Sequence, residues 1–199
     1  MIEDPYAFRS VGGHVVLDFV ATVGKRGSSD IERLRRPDDL MRWIRFVGLG
    51  DHLSDTDENL LLEAHRLREA LYGLLLVAVG LAPVKEGDLV TVNAWARRDT
   101  PGARLTYSDD GFARDMAPVT AETMLAVVAR KGIELLAGPE AALVRECAGP
   151  TCTLLFVDRS RGRRRRWCSM GSCGAHAKMR TLRAKQAGEQ VGSPYGGSA

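Results

Sequence analysis

Hydrophobic positions fall into blocks whose spacing names most of the elements. Val11–Val23 (VGGHVVLDFVATV) is apolar and rich in β-branched residues, which suits a buried strand or a short helix. Gly24–Asp30 (GKRGSSD) has loop composition. Pro37 stands where a first-turn proline belongs, with Asp38 and Asp39 behind it. Leu40, Trp43, Ile44 and Val47 follow at helical spacing, and Gly48 or Gly50 ends the run. The longest helix should start near Asp55 or Thr56 as N-cap. Its apolar face would be Leu60, Leu61, Ala64, Leu67, Leu71, Leu74 and Leu75, with Gly80 and Pro83 stopping it.

A further helix is expected over about Lys85–Arg98, then a turn at Thr100–Gly102. Arg104–Tyr107, Ser108–Gly111 and Phe112–Ala117 read as strand, turn and strand, a hairpin. After Pro118, an apolar helix runs to about Leu136, and Gly138–Pro139 breaks it. Thr153–Asp158 reads as a strand, and a helix is expected from Gly174 on. The expected fold is α+β: a mainly helical N-terminal body with a small β-hairpin, residues 1–140, then a small C-terminal four-cysteine, zinc-ribbon-like module, 141–188. The Gly/Ser-rich end, 189–199, reads as a disordered tail.

Composition narrows the function. The chain has 199 residues, 45% hydrophobic and 27% charged, which is ordinary globular composition. Its net charge of +3 conceals a split. Residues 1–144 hold 17 basic and 22 acidic side chains, net −5. Residues 145–185 hold 11 basic and 2 acidic, net +9. That asymmetry suggests a basic module on a mildly acidic body. No apolar run approaches the roughly 18–20 residues that span a bilayer, so no membrane partner is expected. Met1–Ser10 carries Glu3 and Asp4 and no apolar stretch, so it does not read as a signal peptide. The expected location is the cytoplasm. Walker A, GxSxG and HExxH motifs are absent, and no enzymatic role is expected.

All four cysteines sit in the last third, as Cys147-x4-Cys152-x15-Cys168-x4-Cys173. Two close pairs about fifteen residues apart are how one tetrahedral ion is gripped. Four thiolates leave no open position, so one structural Zn2+ is the expected cofactor. The segment between the pairs is expected to fold back as a hairpin. Iron–sulfur ligation and two disulfides are the alternatives, the latter disfavoured in a cytoplasmic chain. His176, three residues past Cys173, is a rival ligand.

Between and after the cysteines lie the candidate nucleic-acid contacts: Arg161, Arg163, Arg164, Arg165, Arg166, Lys178, Arg180, Arg183 and Lys185. Guanidinium binds phosphate bidentately and reads guanine edges. Asp18 is flanked by apolar residues and needs a partner, an arginine or a turn it caps. His14, His52 and His65 lack ligand-spaced partners; Trp43, Trp95 and Trp167 read as core.

The run Cys147-x4-Cys152, Phe156-Val157-Asp158, Arg164-Arg165-Arg166-Trp167-Cys168-Ser169-Met170 and Cys173-Gly174 resembles the CGNR-type zinc finger. Leu17-Asp18-Phe19-Val20-Ala21-Thr22 is similar to the LDFVNT signature of the ABATE domain that accompanies it. Leu67–Leu71 and Val92-Asn93 also fit. The resemblance implies a stress-induced bacterial transcription regulator that binds DNA through its zinc finger. It departs at Ala175-His176, where the finger motif has Asn-Arg, and at Ala21, where the signature has Asn. A small-molecule effector and a homodimer are compatible with this reading. The alternatives are an RNA- or protein-binding zinc module, or a small-ligand-binding body with the zinc module as scaffold.

Overall fold

The computed structural model describes residues 4–50, 56–100, 102–116 and 119–191. Asp55 as a cap, His52, Pro101 in its turn, Ala117 and Pro118 at the hairpin exit, and the tail from 192 lie outside the described residues, as do Met1–Glu3 at the acidic N-terminus.

The first apolar block resolves as helix. α1 (Val15–Val20) starts where His14 Nδ1 accepts from the Val16 amide. Val16, Leu17, Phe19 and Val20 are all buried. A run buried on every side carries no periodicity, so its sequence did not distinguish helix from strand. The loop after it is the tip of a minimal hairpin, β1 (Val23–Gly24) with β2 (Ile31–Glu32). α2 (Pro37–Phe46) begins at Pro37; Asp39 Oδ2 accepts from the amides of Arg35 and Arg36.

α3 (Glu58–Ala78) is capped by Asp57, whose carboxylate accepts from the Leu60 amide. Leu61, Ala64, Leu67, Leu71, Leu74 and Leu75 are buried as expected, and Leu60 lies at the margin of the core. Arg68 shares their face. Its guanidinium grips Glu32 bidentately, at 2.8 and 2.7 Å, and donates to Thr22 Oγ1 at 3.1 Å. α4 (Glu86–Ala96) buries only Val92 and Trp95. β3 (Ala103–Ser108) pairs antiparallel with β4 (Gly111–Met116) around Asp109 and Asp110, and Gly111 takes a φ of 100° that suits glycine alone. Leu105, Tyr107 and Phe112 remain exposed on this hairpin. α5 (Ala121–Ala137) is capped by Thr120.

A single turn, Pro139–Leu143, leads directly into β5 (Val144–Glu146), which pairs with β6 (Leu155–Val157). α6 (Ala175–Val191) ends the described chain, three residues beyond Gly188. The core does not stop at residue 140. Val144, Leu155 and Val157 belong to the cluster built from α1–α5. The Val157 amide donates to Gly12 O at 2.8 Å, and Arg159 binds both Glu140 oxygens and Gly13 O.

Asp18 is buried, but an arginine does not neutralise it. It accepts from Ser10 Oγ at 2.8 Å and the Gly12 amide at 3.0 Å. Burial outweighs those bonds and raises its pKa. Glu32 shows the opposite balance. Burial works against its charge, but Arg68's hydrogen bonds and charge prevail and hold its pKa below the usual glutamate value. A lowered carboxylate stabilises the fold above the unfolded-state pKa, about 4.3, and loses that contribution as pH falls through the folded value. Glu32→Gln should therefore cost about 1–3 kcal/mol at pH 7. In urea melts the gap between variant and wild type should narrow as pH falls below about 4.3 and close below the folded-state pKa of Glu32; an equal gap at neutral and acid pH would refute this origin.

Candidate metal centre and basic face

The four cysteines converge. All four Sγ atoms lie within 4.8 Å of one another. Cys152 and Cys168 sulfurs are 3.7 Å apart, and Cys168 and Cys173 are 3.8 Å apart. A tetrahedral ion with 2.3 Å zinc–sulfur bonds has sulfur–sulfur edges of about 3.8 Å. His176 stands outside this set.

Local backbone geometry explains the convergence. β5 and β6 close a hairpin around the first pair, with the Cys147 amide bonded to Leu154 O at 2.9 Å. The hairpin thus encloses Cys147–Cys152; it is not formed by the segment between the pairs, because β5 supplies a partner from before the first cysteine. The Cys152 amide turns back to Gly149 O. A Cβ on Gly149 would come within 3.1 Å of Cys173 Sγ, so this knuckle has no room for a side chain. The second pair is set by the wide turn Met170–Gly174 that starts α6. The Cys168 amide donates to Cys147 Sγ at 3.3 Å.

Four thiols this close cannot all ionise without a cation. Cys152 is pulled down, first by its bond to Cys168. Cys168 is pushed up by that same bond and by burial, and Cys173 by burial and then by the Cys152 charge. A dication removes the conflict by binding all four as thiolates. Spacing, donor type and geometry fit one structural zinc ion, held by Cys147, Cys152, Cys168 and Cys173. It would tie the first knuckle to the base of α6.

A small second core lies beside the cluster: Ala21, Leu154 and the fully buried Phe156 pack on Cys147 and Cys168, with Val11 and Trp167 at its edge. Ala21 supplies a methyl to that core, and its carbonyl accepts from Arg33. This gives the Ala21 departure a packing role. Asp158, 1% exposed, holds the basic turn. Its Oδ1 accepts from the Ser160 amide and hydroxyl, and its Oδ2 from the Arg165 amide. These bonds, the Ser160 hydroxyl foremost, lower its pKa. Arg163 adopts a φ of 48° in the turn.

The nine basic residues separate into two roles. Arg165 turns inward. Its guanidinium donates to the carbonyls of Trp167, Cys168 and Val11 and lies 4.4 Å from the Phe156 ring centroid. Its Nε and Nη2 are engaged inside the protein, which sets it apart from the exposed contact surface. Arg161, Arg163, Arg164 and Arg166 are exposed on the turn, and Lys178, Arg180, Arg183 and Lys185 on α6. Arg166 lies 5.2 Å from the centroid of half-buried Trp167. Among the described residues, none of these eight side chains forms an ion pair with the body. Sequence reasoning did not foresee the inward Arg165 or the Asp158 anchor; Asp158 following three buried apolar residues was the available signal.

Removing zinc with a chelator should abolish the one-to-one metal content and loosen the packing of Trp167, seen as a red shift in its fluorescence. Most far-UV helicity should persist, because α1–α5 pack in a core that the cysteines do not enter. Arg165→Ala should cost about 1–3 kcal/mol in chemical denaturation, by leaving buried carbonyls without donors. Arg164→Ala, at an exposed position, should fall within about 0.5 kcal/mol of wild type.

The segment 144–186 matches the family model of the CGNR zinc finger. No curated protein matches the chain. Residues 13–139 match the ABATE model, described as "Putative stress-induced transcription regulator". The chain belongs to the ABATE family and carries a CGNR zinc finger at its C-terminal side.

Proposed function

We propose that the protein is a non-enzymatic, DNA-binding transcription regulator of the bacterial cytoplasm. Its contact surface would be the arginine turn and α6. Eight exposed basic side chains, without an ion pair among the described residues, around a four-cysteine knuckle are the observation that carries this reading. Phosphate contacts position a protein on duplex, and base contacts specify sequence. Lys178 and Lys185 are seven residues apart and share one side of α6; Arg180 and Arg183 occupy another. One side can follow a strand while the other reaches base edges. Arg161, Arg163 and Arg164, held out by Asp158, would clamp the backbone beside the helix. The membership in a family of transcription regulators favours duplex DNA as the partner.

Each neutralised phosphate releases counterions, so log affinity should fall steeply with log salt. Replacing Arg161, Arg163 and Arg164 together with Ala should weaken duplex binding at least tenfold. The salt slope should flatten by up to about 0.9 per lost phosphate contact. Fluorescence anisotropy at several salt concentrations measures both. An unchanged slope, or a clear preference for RNA at matched salt, would overturn the reading.

A further inference from the structure

A cleft of about 340 Å³ lies on the seam between the body and the finger, on residues the DNA contact does not use. Arg9, Lys25 and Arg33 line it from the body; Cys152, Cys173 and His176 line it from the finger. No aspartate or glutamate lines it.

Arg33 makes the cleft unusual. It is 5% exposed, and among the described residues it forms no ion pair. Its Nε donates to Ala7 O at 2.9 Å and its Nη1 to Ala21 O at 3.1 Å. Neutral carbonyls orient the guanidinium, while the carboxylates of Glu32 and Asp4 act on it only from beyond ion-pair distance. Arg68, the buried arginine of α3, has the carboxylate of Glu32. Burial, and then the charge of Arg9, press the Arg33 pKa down by more than the carboxylates of Glu32 and Asp4 raise it. The backbone fits the guanidinium closely: a Cβ on Gly24 would sit 2.8 Å from Nη1. Lys25 holds a left-handed φ of 53° on the same turn. His176 lies in the first turn of α6.

We propose that this cleft binds a small anion bearing phosphate or carboxylate groups, gripped by Arg33 and Lys25 of the body and by His176 of the finger at once. As the effector of a DNA-binding regulator, the anion rests on the preceding reading; its binding does not, and is measured without DNA. His176 occupies the Arg position of the finger motif, so the departure changes the cleft rather than the exposed basic face.

Four thiolates around one zinc ion leave two negative charges, and the test separates a ligand site from cations that only offset them. Zinc-loaded full-length protein is titrated with inorganic phosphate, pyrophosphate and citrate, by calorimetry and by thermal melting. The expected result is saturable one-to-one binding of at least one anion, with a raised Tm. Comparison of the three probes separates phosphate from carboxylate ligands. Lys25→Glu and His176→Glu, both at the edge of the cleft, should each weaken binding at least tenfold with one zinc retained. The triple alanine variant of Arg161, Arg163 and Arg164 should bind the anion as wild type does. Absence of saturable binding overturns the proposal. So does binding lost only in the triple variant, which would place the ions on the exposed basic face. Loss of zinc from Lys25→Glu without anion binding in the wild type would show that the cations serve the thiolates alone. Displacement of bound pyrophosphate by non-specific duplex would assign the cleft to backbone phosphate, and also overturns it.

Discussion

The guanidinium of Arg165 joins three pieces of the chain at one point. It donates to Val11 O in the body, to Trp167 O and to Cys168 O beside the metal ligands, and it covers the ring of Phe156. Its own amide is bound by Asp158, which also fixes Ser160. One arginine therefore sets the angle at which its neighbours leave the surface. Hydrogen bonds of this kind, from a charged donor to buried carbonyls, are stronger than neutral ones and costly to leave unmade. The inward arginine anchors the turn from which the exposed ones project.

Zinc and packing divide the work of holding this end of the chain. The knuckles carry few apolar residues, and the four sulfurs close a loop that the small core of Ala21, Leu154 and Phe156 could not close alone. The β5–β6 hairpin is different. Its inward residues Val144, Leu155 and Val157 join the main core, and its backbone continues onto Gly12. The ion fixes the basic surface, and the body fixes the hairpin that bears it.

Where periodicity or ligand spacing carried the signal, the sequence was informative. α2, α3, α5 and the β3–β4 hairpin follow from apolar spacing and turn residues, and α4 lies within its expected range. The metal centre follows from two matched cysteine pairs. α1 was ambiguous because a segment buried on all sides has no polar phase to read. The two-residue strands β1 and β2 are too short to leave a pattern, and β5 is visible only through its partner. Arg165 and Arg33 were the hardest to read. Nothing in a run of arginines says which one points inward, since that depends in part on Val11 O, 154 residues away. Asp18 likewise found its partners in Ser10 and a backbone amide, a local solution that composition does not announce.

The hairpin β5–β6 bears on how such a finger travels between proteins. A classical finger is a cassette: excised with its ion, it keeps its own interior and can be grafted onto a new carrier. Here the excised piece would carry Val144, Leu155 and Val157 into water and strand Arg165 without Val11. The finger is therefore not transplantable by itself. A change of body would need a matching change in these contacts.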